Sequence, residues 1–515
     1  MALPEGERRM SRGLEEAARR FGEHDALRFG DQRLTYGELD RLSNAFAAVL
    51  RSRGISAGQR VAVMTSNRPE FIIAVFAVSK LNAAPVLISP AWKAREVGHA
   101  LQITSAAHAI AEASTASLVS AGLGPERVYD LDAEPLLGGG LEGADAAPDP
   151  GPVSESDEAV LVFSSGTTGL PKAVRHTHTS ICAGTTHWVQ CLGLGPDDRF
   201  QVATPPSHIL GLLNLLAAAE AGATVRLHPR FDLDEVLRRI QQERVTLEMA
   251  VAPIALALAN HPRLEDYDLS SLRYIMWGAT PVTQSVAETV TARSGVRWLC
   301  GYGASEVPVI AVNPVREPGR WRLDSAGLPA EGLQLRVADL ETGRVLGPGE
   351  TGEVQIRGAS VMAGYLPEEA NADAFADGWY RTGDVGWLEP EGWVHLTDRS
   401  KEMIKVKGFQ VAPAEIEAVL HGHPGVLDCA VFGVPDESAG EMPVAAVSLD
   451  PKSPVTAEEL QQLVADSLAG YKRLRDVIVV EEIPRLPSGK VLRRMLRDTW
   501  APILEARGDA TRTVG

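Results

Sequence analysis

The chain has 515 residues, with 50 Lys and Arg against 67 Asp and Glu for a formal charge of −17, 45% hydrophobic residues and only 4 Cys. That length and apolar share suit about three structural units with large cores, and they exclude disordered and collagen-like chains. The acidic balance disfavours a protein that grips nucleic acid through a general basic field, so small-molecule chemistry is the better expectation.

Cys182, Cys191, Cys300 and Cys429 are far apart and form no C-x-x-C pair, which indicates neither a disulfide framework nor a zinc knuckle. The first twenty residues mix Glu with Arg and lack the apolar core of a signal peptide, so a cytoplasmic location is expected. The uncharged run from Phe200 to Ala219 is interrupted by Pro205, Pro206, Ser207, His208 and Asn214; a buried strand, loop and helix explains it better than a membrane span.

In chain order, Thr35 and Glu38 form a possible capping box ahead of an apolar helical face made by Leu39, Leu42, Phe46, Val49 and Leu50. VAVM at 61 to 64, PEFIIAVFAVSKL after it and APVLI next read as a strand, helix and strand. The segment from Asp130 to Glu158, rich in Gly, Pro, Ala and acids, is a surface connection. Strand and helix patterns alternate again over 223 to 300, implying large parallel or mixed sheets. After Asp324 come short runs bounded by Gly and Pro, as in antiparallel strands. The predicted fold class is α/β. A large N-terminal domain, 1–397, carries mixed and parallel sheets flanked by helices plus a β-rich subdomain. A small mobile α+β domain, 398–515, follows it.

The segment with most chemistry is FSSGTTGLPK, from Phe163 to Lys172, directly after the apolar strand AVLVF. Hydroxyls, glycines and a lysine at a strand exit give a loop able to surround phosphate oxygens. It is not a Walker loop, because Pro171 precedes the lysine and Ala173 follows it. GYGASE at 301 to 306 is not a dinucleotide fingerprint, since Glu306 stands where the third glycine belongs. Further segments follow in order: PPSHILG at 205, WGATP at 277, WYRTGD at 379, DRSKEMIKVKGFQVAPAEIE at 398 and PRLPSGKVLRR at 484. This ordered set resembles the adenylate-forming superfamily of acyl-CoA synthetases, peptide-synthetase adenylation domains and luciferases. Because of KVKGFQVAPAEIE, it is most similar to acyl- and aryl-CoA ligases, including the coumarate-CoA ligase group.

The resemblance implies ATP-dependent activation of a carboxylate as an acyl-adenylate with release of pyrophosphate, then transfer to a thiol, with ATP, Mg²⁺ and CoA as partners. It places the phosphate loop at Ser164, Ser165, Gly166, Thr167, Thr168, Gly169 and Lys172. Gly278, Ala279, Thr280, Tyr302, Gly303 and Ser305 line the nucleotide slot; Ser305 replaces the usual Thr. Asp384 and Arg399 take the ribose hydroxyls, and Glu306 ligates Mg²⁺. Lys490 bridges carboxylate and α-phosphate, and His208 flanks the carboxylate. Asp398 is the hinge about which the small domain rotates, exchanging Lys490 for Lys405 and Gln410, with Lys407 and Gly408 beside the pantetheine path.

The implied acid pocket comprises Leu210, Asn214, Met276, Trp277, Gly301, Val309 and Ile310, together with Ala279. Leu210 replaces a Tyr common in coumarate ligases, which disfavours a phenolic cinnamate. An inward Trp277 indole would shorten the pocket and favour a compact acid; an indole in the core would cancel that inference. The acceptor is CoA by the same motif, with a carrier protein, an amine, nitrite activation for diazotisation or a non-catalytic nucleotide binder as alternatives. His176, His178 and His187 lack partner acids at metal-ligand spacing, so no zinc site is expected. Oligomeric state is left open.

Overall fold

The computed structural model describes residues 8–138, 141–164, 170–278, 283–407, 409–436, 439–453, 455–485 and 489–512, with side chains as far as Leu504. The capping box forms: the Thr35 hydroxyl accepts from Glu38 N at 3.2 Å, and the Glu38 carboxylate accepts from Thr35 N at 2.8 Å, starting the helix Tyr36–Ser52. The next helix, Pro69–Lys80, is buried on every side, as its nearly unbroken apolar sequence requires. Its last residue is a buried lysine, and Asp40 and Asn44 satisfy that ammonium at 2.6 Å each.

Among the described residues the strands form four sheets. In one, Val128–Asp130, His108–Ala111, Arg60–Met64, Ala84–Leu87 and Glu158–Ser164 run parallel, and Lys172–Thr177 and Gly364–Leu366 close the edge antiparallel. In the largest, Asp25–Phe29, Thr224–Leu227, Arg199–Val202, Leu247–Ala250, Tyr274–Trp277 and Trp298–Tyr302 are parallel, with short antiparallel strands at both ends. One apolar cluster runs through both sheets, from Phe46 and Phe71 to Leu212 and Leu299.

The third sheet is the β-rich subdomain, in which Trp379–Leu388 pairs antiparallel with Gly352–Arg357 and with Val394–Arg399. The fourth is C-terminal. It begins with Ile404–Val406, so the change of sheet falls between Arg399 and Ile404. Separate apolar clusters cover its two faces, one around Val431 and Leu460 and the other around Phe432 and Leu496. No helix of the described residues is long and apolar enough to cross a membrane; the Phe200 to Ala219 run is a strand end, a loop and the helix Ile209–Ala221.

Histidines serve as neutral joints between these layers. His176 lies between Ser180 Oγ, 3.0 Å from Nδ1, and the Ser305 carbonyl, 2.8 Å from Nε2. His178 accepts from Met10 N at 3.2 Å and meets Asn82 Oδ1 at 3.1 Å, and His228 meets Gln201 Oε1 at 2.6 Å. Burial pushes all three down to about 4. The unfolded chain, with an ordinary imidazole pKa near ~6.5, therefore binds more protons over that interval. Stability is complete above the unfolded value and is lost as the pH falls from about 6.5 toward 4, each histidine adding up to about 1.4 kcal/mol per pH unit to the slope. Urea midpoints measured across that interval should fall accordingly, and His176→Asn should flatten the curve; a level midpoint contradicts the assignment.

Candidate active site

The loops at the carboxyl ends of the parallel strands, where ligands bind in open α/β sheets, border one cavity of about 960 Å³. Ser164 and Lys172 flank its phosphate-loop side as register partners, so the strand pairing fixes both ends of that loop. Ser165, Gly166, Thr167, Thr168 and Gly169 lie outside the described residues, as do Ala279, Thr280 and Gly408.

GYGASE forms a tight turn closed by Ala304 and Val307, whose backbone groups bond each other at 2.9 and 3.2 Å. A Cβ on Gly303 would stand 2.3 Å from the Pro308 carbonyl oxygen, so only glycine fits there. His176 holds the Ser305 carbonyl from behind the turn. Glu306 faces the cavity, and its Oε1 accepts from Tyr365 OH at 2.8 Å. Tyr380 OH lies 3.3 Å from the same hydroxyl, and Lys172 Nζ stands 5.1 Å from the Tyr365 ring centre. Tyr365 thus couples the phosphate-loop cation to the carboxylate. Glu306 Oε2 has no partner among the described residues, and a hard oxygen donor beside a phosphate-sized space fits Mg²⁺.

Asp384 sits just behind the wall. Its Oδ2 accepts from Tyr302 OH at 2.5 Å and its Oδ1 lies 2.9 Å from Arg399 Nε. Burial first, then the neighbouring Asp384 charge, holds the Tyr302 phenol well above its usual range, so it stays a proton donor.

The opposite wall is apolar: Trp188, Leu210, Met249, Val251, Ile254, Met276, Gly301 and Pro308. His208 caps the helix Ile209–Ala221, its Nδ1 accepting from Leu210 N at 3.3 Å. Burial lowers its pKa, so it is neutral with the proton on Nε2. Met276 packs onto Gly301, where any Cβ would stand 2.5 Å from the methionine methyl.

Four positions assigned to the pocket do not border it. Along the strand Tyr274–Trp277, Met276 faces the cavity, so alternation turns Trp277 to the other side, where it is fully buried 5.0 Å from the Trp298 ring. The compact-acid inference drawn from Trp277 therefore falls. Val309 and Ile310 are wholly buried in the main core. Asn214 stands one layer back, accepting from Trp188 Nε1 at 2.8 Å, and it is Trp188 that forms the wall. The sequence reading missed Trp188, Met249, Val251, Ile254 and Tyr365. A buried Asn in an otherwise apolar helix was the one local sign that a polar partner such as the Trp188 indole had to lie opposite.

Lys490 reaches the same cavity from the C-terminal sheet. At Gly489, φ +83°, an added Cβ would stand 3.0 Å from Pro253 Cδ and 3.3 Å from Val251 Cβ, so the Lys490 segment comes close to the body there. Burial, then Arg399, lowers the pKa of the Lys490 ammonium, and Glu402 at 4.0 Å is the nearest carboxylate. Lys405 and Gln410 face each other as partners in an exposed hairpin, with Lys407 at its turn; none of the three borders this cavity. Asp398 accepts from Arg399 N at 2.7 Å and from Ala414 N at 3.0 Å.

Residues 14–366 match the family described as AMP-binding enzyme, and 415–490 match the AMP-binding enzyme C-terminal domain. The chain is 36% identical over 497 residues to 4-coumarate–CoA ligase 2 of Oryza sativa subsp. japonica, covering 90% of this chain and 87% of that one. Among solved structures, ATP-bound MatB from Rhodopseudomonas palustris superposes with TM-score 0.87 at 26% identity, covering 96% of this chain and 99% of that one. The o-succinylbenzoate CoA synthetase of Bacillus subtilis, in complex with its acyl-adenylate intermediate, superposes with TM-score 0.83 at 30% identity, covering 95% and 98%. The chain belongs to the AMP-binding enzyme family, within the adenylate-forming superfamily of acyl- and aryl-CoA ligases.

Proposed function

We propose that this enzyme is an AMP-forming acid–thiol ligase that adenylates an apolar monocarboxylic acid with ATP and then passes the acyl group to CoA. The observation that carries the reading is the convergence on one cavity of Lys172, Glu306, Arg399, neutral His208 and Lys490, facing a wall without charge. The coumarate ligase and succinylbenzoate synthetase relatives supply the precedent for CoA as acceptor.

In the first half-reaction a carboxylate oxygen attacks the α-phosphorus of ATP and the bond to pyrophosphate breaks. Both partners are anions, so the barrier is electrostatic. Lys490 and Arg399 supply positive charge on one side and Lys172 on the other. The His208 Nε2–H donates to the acid without adding charge. Asp384, held by Tyr302 just behind the wall, fixes Arg399, which borders the cavity and donates to the ribose hydroxyls. Glu306, with Tyr365 holding one oxygen, offers the other to Mg²⁺, which when bound neutralises phosphate charge. In the second half-reaction the CoA thiolate attacks the acyl carbon and the bond to AMP breaks, and rotation of the C-terminal domain about Asp398 withdraws Lys490 and brings in the hairpin of Lys405, Lys407 and Gln410.

The uncharged wall favours an acid whose only charge is the reacting carboxylate. No lysine or arginine lies among Trp188, Leu210, Met249, Val251, Ile254 and Met276 to hold a second carboxylate, and no acid to hold an amino group.

In acid-dependent exchange of pyrophosphate into ATP, a panel of short-chain, aromatic, dicarboxylic, amino and inorganic acids should give signal only for apolar monocarboxylates. Lys490→Ala should abolish that exchange while thioester formation from supplied acyl-adenylate persists, and equal losses in both refute the assignment. Met276→Ala, which opens the pocket floor over Gly301, should shift kcat/KM toward acids one or two carbons longer by roughly 10-fold or more. Unaltered chain-length preference places the acid elsewhere.

A further inference from the structure

Lys490 lies in no helix or strand: it follows Gly489, a left-handed glycine, in the segment after the last strand of the C-terminal sheet, Asp476–Val479. The loop is nevertheless closed at its base. Arg485 and Val491 form an antiparallel bridge, and Leu492 N donates to the Pro484 carbonyl at 2.8 Å. Across the loop, Arg485 Nη1 donates to the Gly489 carbonyl at 2.8 Å, one peptide from Lys490. The rest of the same guanidinium is forked onto Asp428, Nε to Oδ2 at 3.1 Å and Nη2 to Oδ1 at 2.8 Å. Asp428 is itself fixed. Its Oδ1 accepts from Cys429 N at 2.8 Å and meets His421 Nε2 at 3.4 Å, and its strand, Val426–Asp436, pairs along its length with Gly440–Leu449.

We infer that Arg485, held in bidentate geometry by Asp428, is the positioning residue that sets where the Lys490 ammonium stands in the cavity. Gly489 is gripped from two sides, by the Arg485 guanidinium behind and by Val251 and Pro253 of the body in front. A planar fork is the group suited to this task, because it binds the carboxylate in a fixed orientation and still has a donor for the carbonyl. Neither Arg485 nor Asp428 borders the cavity, so neither touches substrate. The largest charge effects on the ammonium come from Arg399, Glu402, Asp384 and Arg493, whereas Arg485 meets the Lys490 segment through its bond to the Gly489 carbonyl.

The inference rests on the proposed role of Lys490, and the experiment separates the two. Arg485→Gln, Arg485→Lys, Asp428→Asn and the Arg485→Gln/Asp428→Asn double variant are compared with Lys490→Ala in the full-length enzyme. Adenylation is read by pyrophosphate exchange, and thioester formation by supply of acyl-adenylate and CoA. Displacing a reacting group by about 1 Å costs about 100-fold, so each Arg485 or Asp428 variant should lower the adenylation kcat by roughly 10- to 100-fold. The KM for ATP should hold within about twofold, the pH profile should not move, and thioester formation should stay at the parental rate. The double variant should be no worse than the poorer single one, since both break one clamp. Arg485→Lys, which keeps charge but loses the fork, should fail to rescue. Full adenylation in Arg485→Gln beside a dead Lys490→Ala overturns the clamp alone. Equal loss in both half-reactions also overturns it, since that marks a general folding defect. Full exchange in Lys490→Ala overturns the proposed reaction and the clamp with it.

Discussion

Lys490 and Arg399 stand close together in one cleft, and most of the site's design follows from that. Burial disfavours the Lys490 ammonium, and the Arg399 guanidinium disfavours it further; Glu402 and Asp384 offset only part of the cost. Arg399 is tolerated because Asp384 lies 2.9 Å away and is itself held by Tyr302. A cleft charged in this way is complementary to a ligand that brings several negative charges at once, such as a triphosphate meeting a carboxylate. The two cations come from different sheets, so the site is complete only while the C-terminal sheet packs against the Val251 to Pro253 turn. Assembly of the catalytic charge and docking of the domain are one event.

The apolar wall answers a different constraint. Its residues come mainly from the ends of neighbouring parallel strands and from three helices, and they present side chains without hydrogen-bonding needs. Trp188 is the exception, and its indole N–H is satisfied by Asn214 behind the wall rather than from within the cavity. That arrangement keeps an aromatic surface facing the ligand while no polar group is left to select a hydroxyl or an amine. His208 borders the cavity in the same segment as Thr204 and Ser207, and its helix-capping bond commits Nδ1 as an acceptor.

The α/β alternation, the capping box, the β-rich subdomain and the change of sheet near Asp398 were all legible in the sequence, because each has a local signature of period, cap or turn. Motif residues that end parallel strands were legible too, since Ser164, Gly278, Tyr302 and Glu306 sit where strand ends must deliver them. The acid pocket was not. Positions next to a motif do not reveal their side of the strand, and alternation sends Trp277 into the core while its neighbour Met276 faces the ligand space. Val251 joins the wall because its strand neighbours that of Met276 in the sheet, and Trp188 because its helix, His178–Leu192, packs against Ile209–Ala221; no local periodicity records either. Tyr365 was missed for the same reason: it reaches Glu306 because its strand pairs with Lys172–Thr177, almost two hundred residues earlier.

The place of the pivot can be argued from the same contacts. Pairing between Trp379–Leu388 and Val394–Arg399 continues through Val385 with Asp398 and Asp384 with Arg399, one residue beyond the proposed hinge. The Asp398 carboxylate meanwhile accepts from Ala414 N at the start of the helix Pro413–His421, which has no side-chain cap of its own. Asp398 is therefore tied by its backbone to the body and by its side chain to the C-terminal domain. Charge-assisted hydrogen bonds are worth about 1.5–3 kcal/mol each, so the bond to Ala414 resists separation of Asp398 from that helix. A rotation that carries Asp398 with the helix must give up the last strand pair and, with it, the grip of Asp384 on Arg399. A pivot between Ser400 and Met403 would leave that ion pair whole but break the bond to Ala414. In the proposed rotation the first alternative would withdraw Arg399 together with Lys490 and leave Lys172 in place. The proposed pivot is thus an aspartate bonded to both sides, followed by residues whose backbone is bonded back to the body, Ser400 N to the Gly383 carbonyl and Glu402 N and Met403 N to that of Arg399.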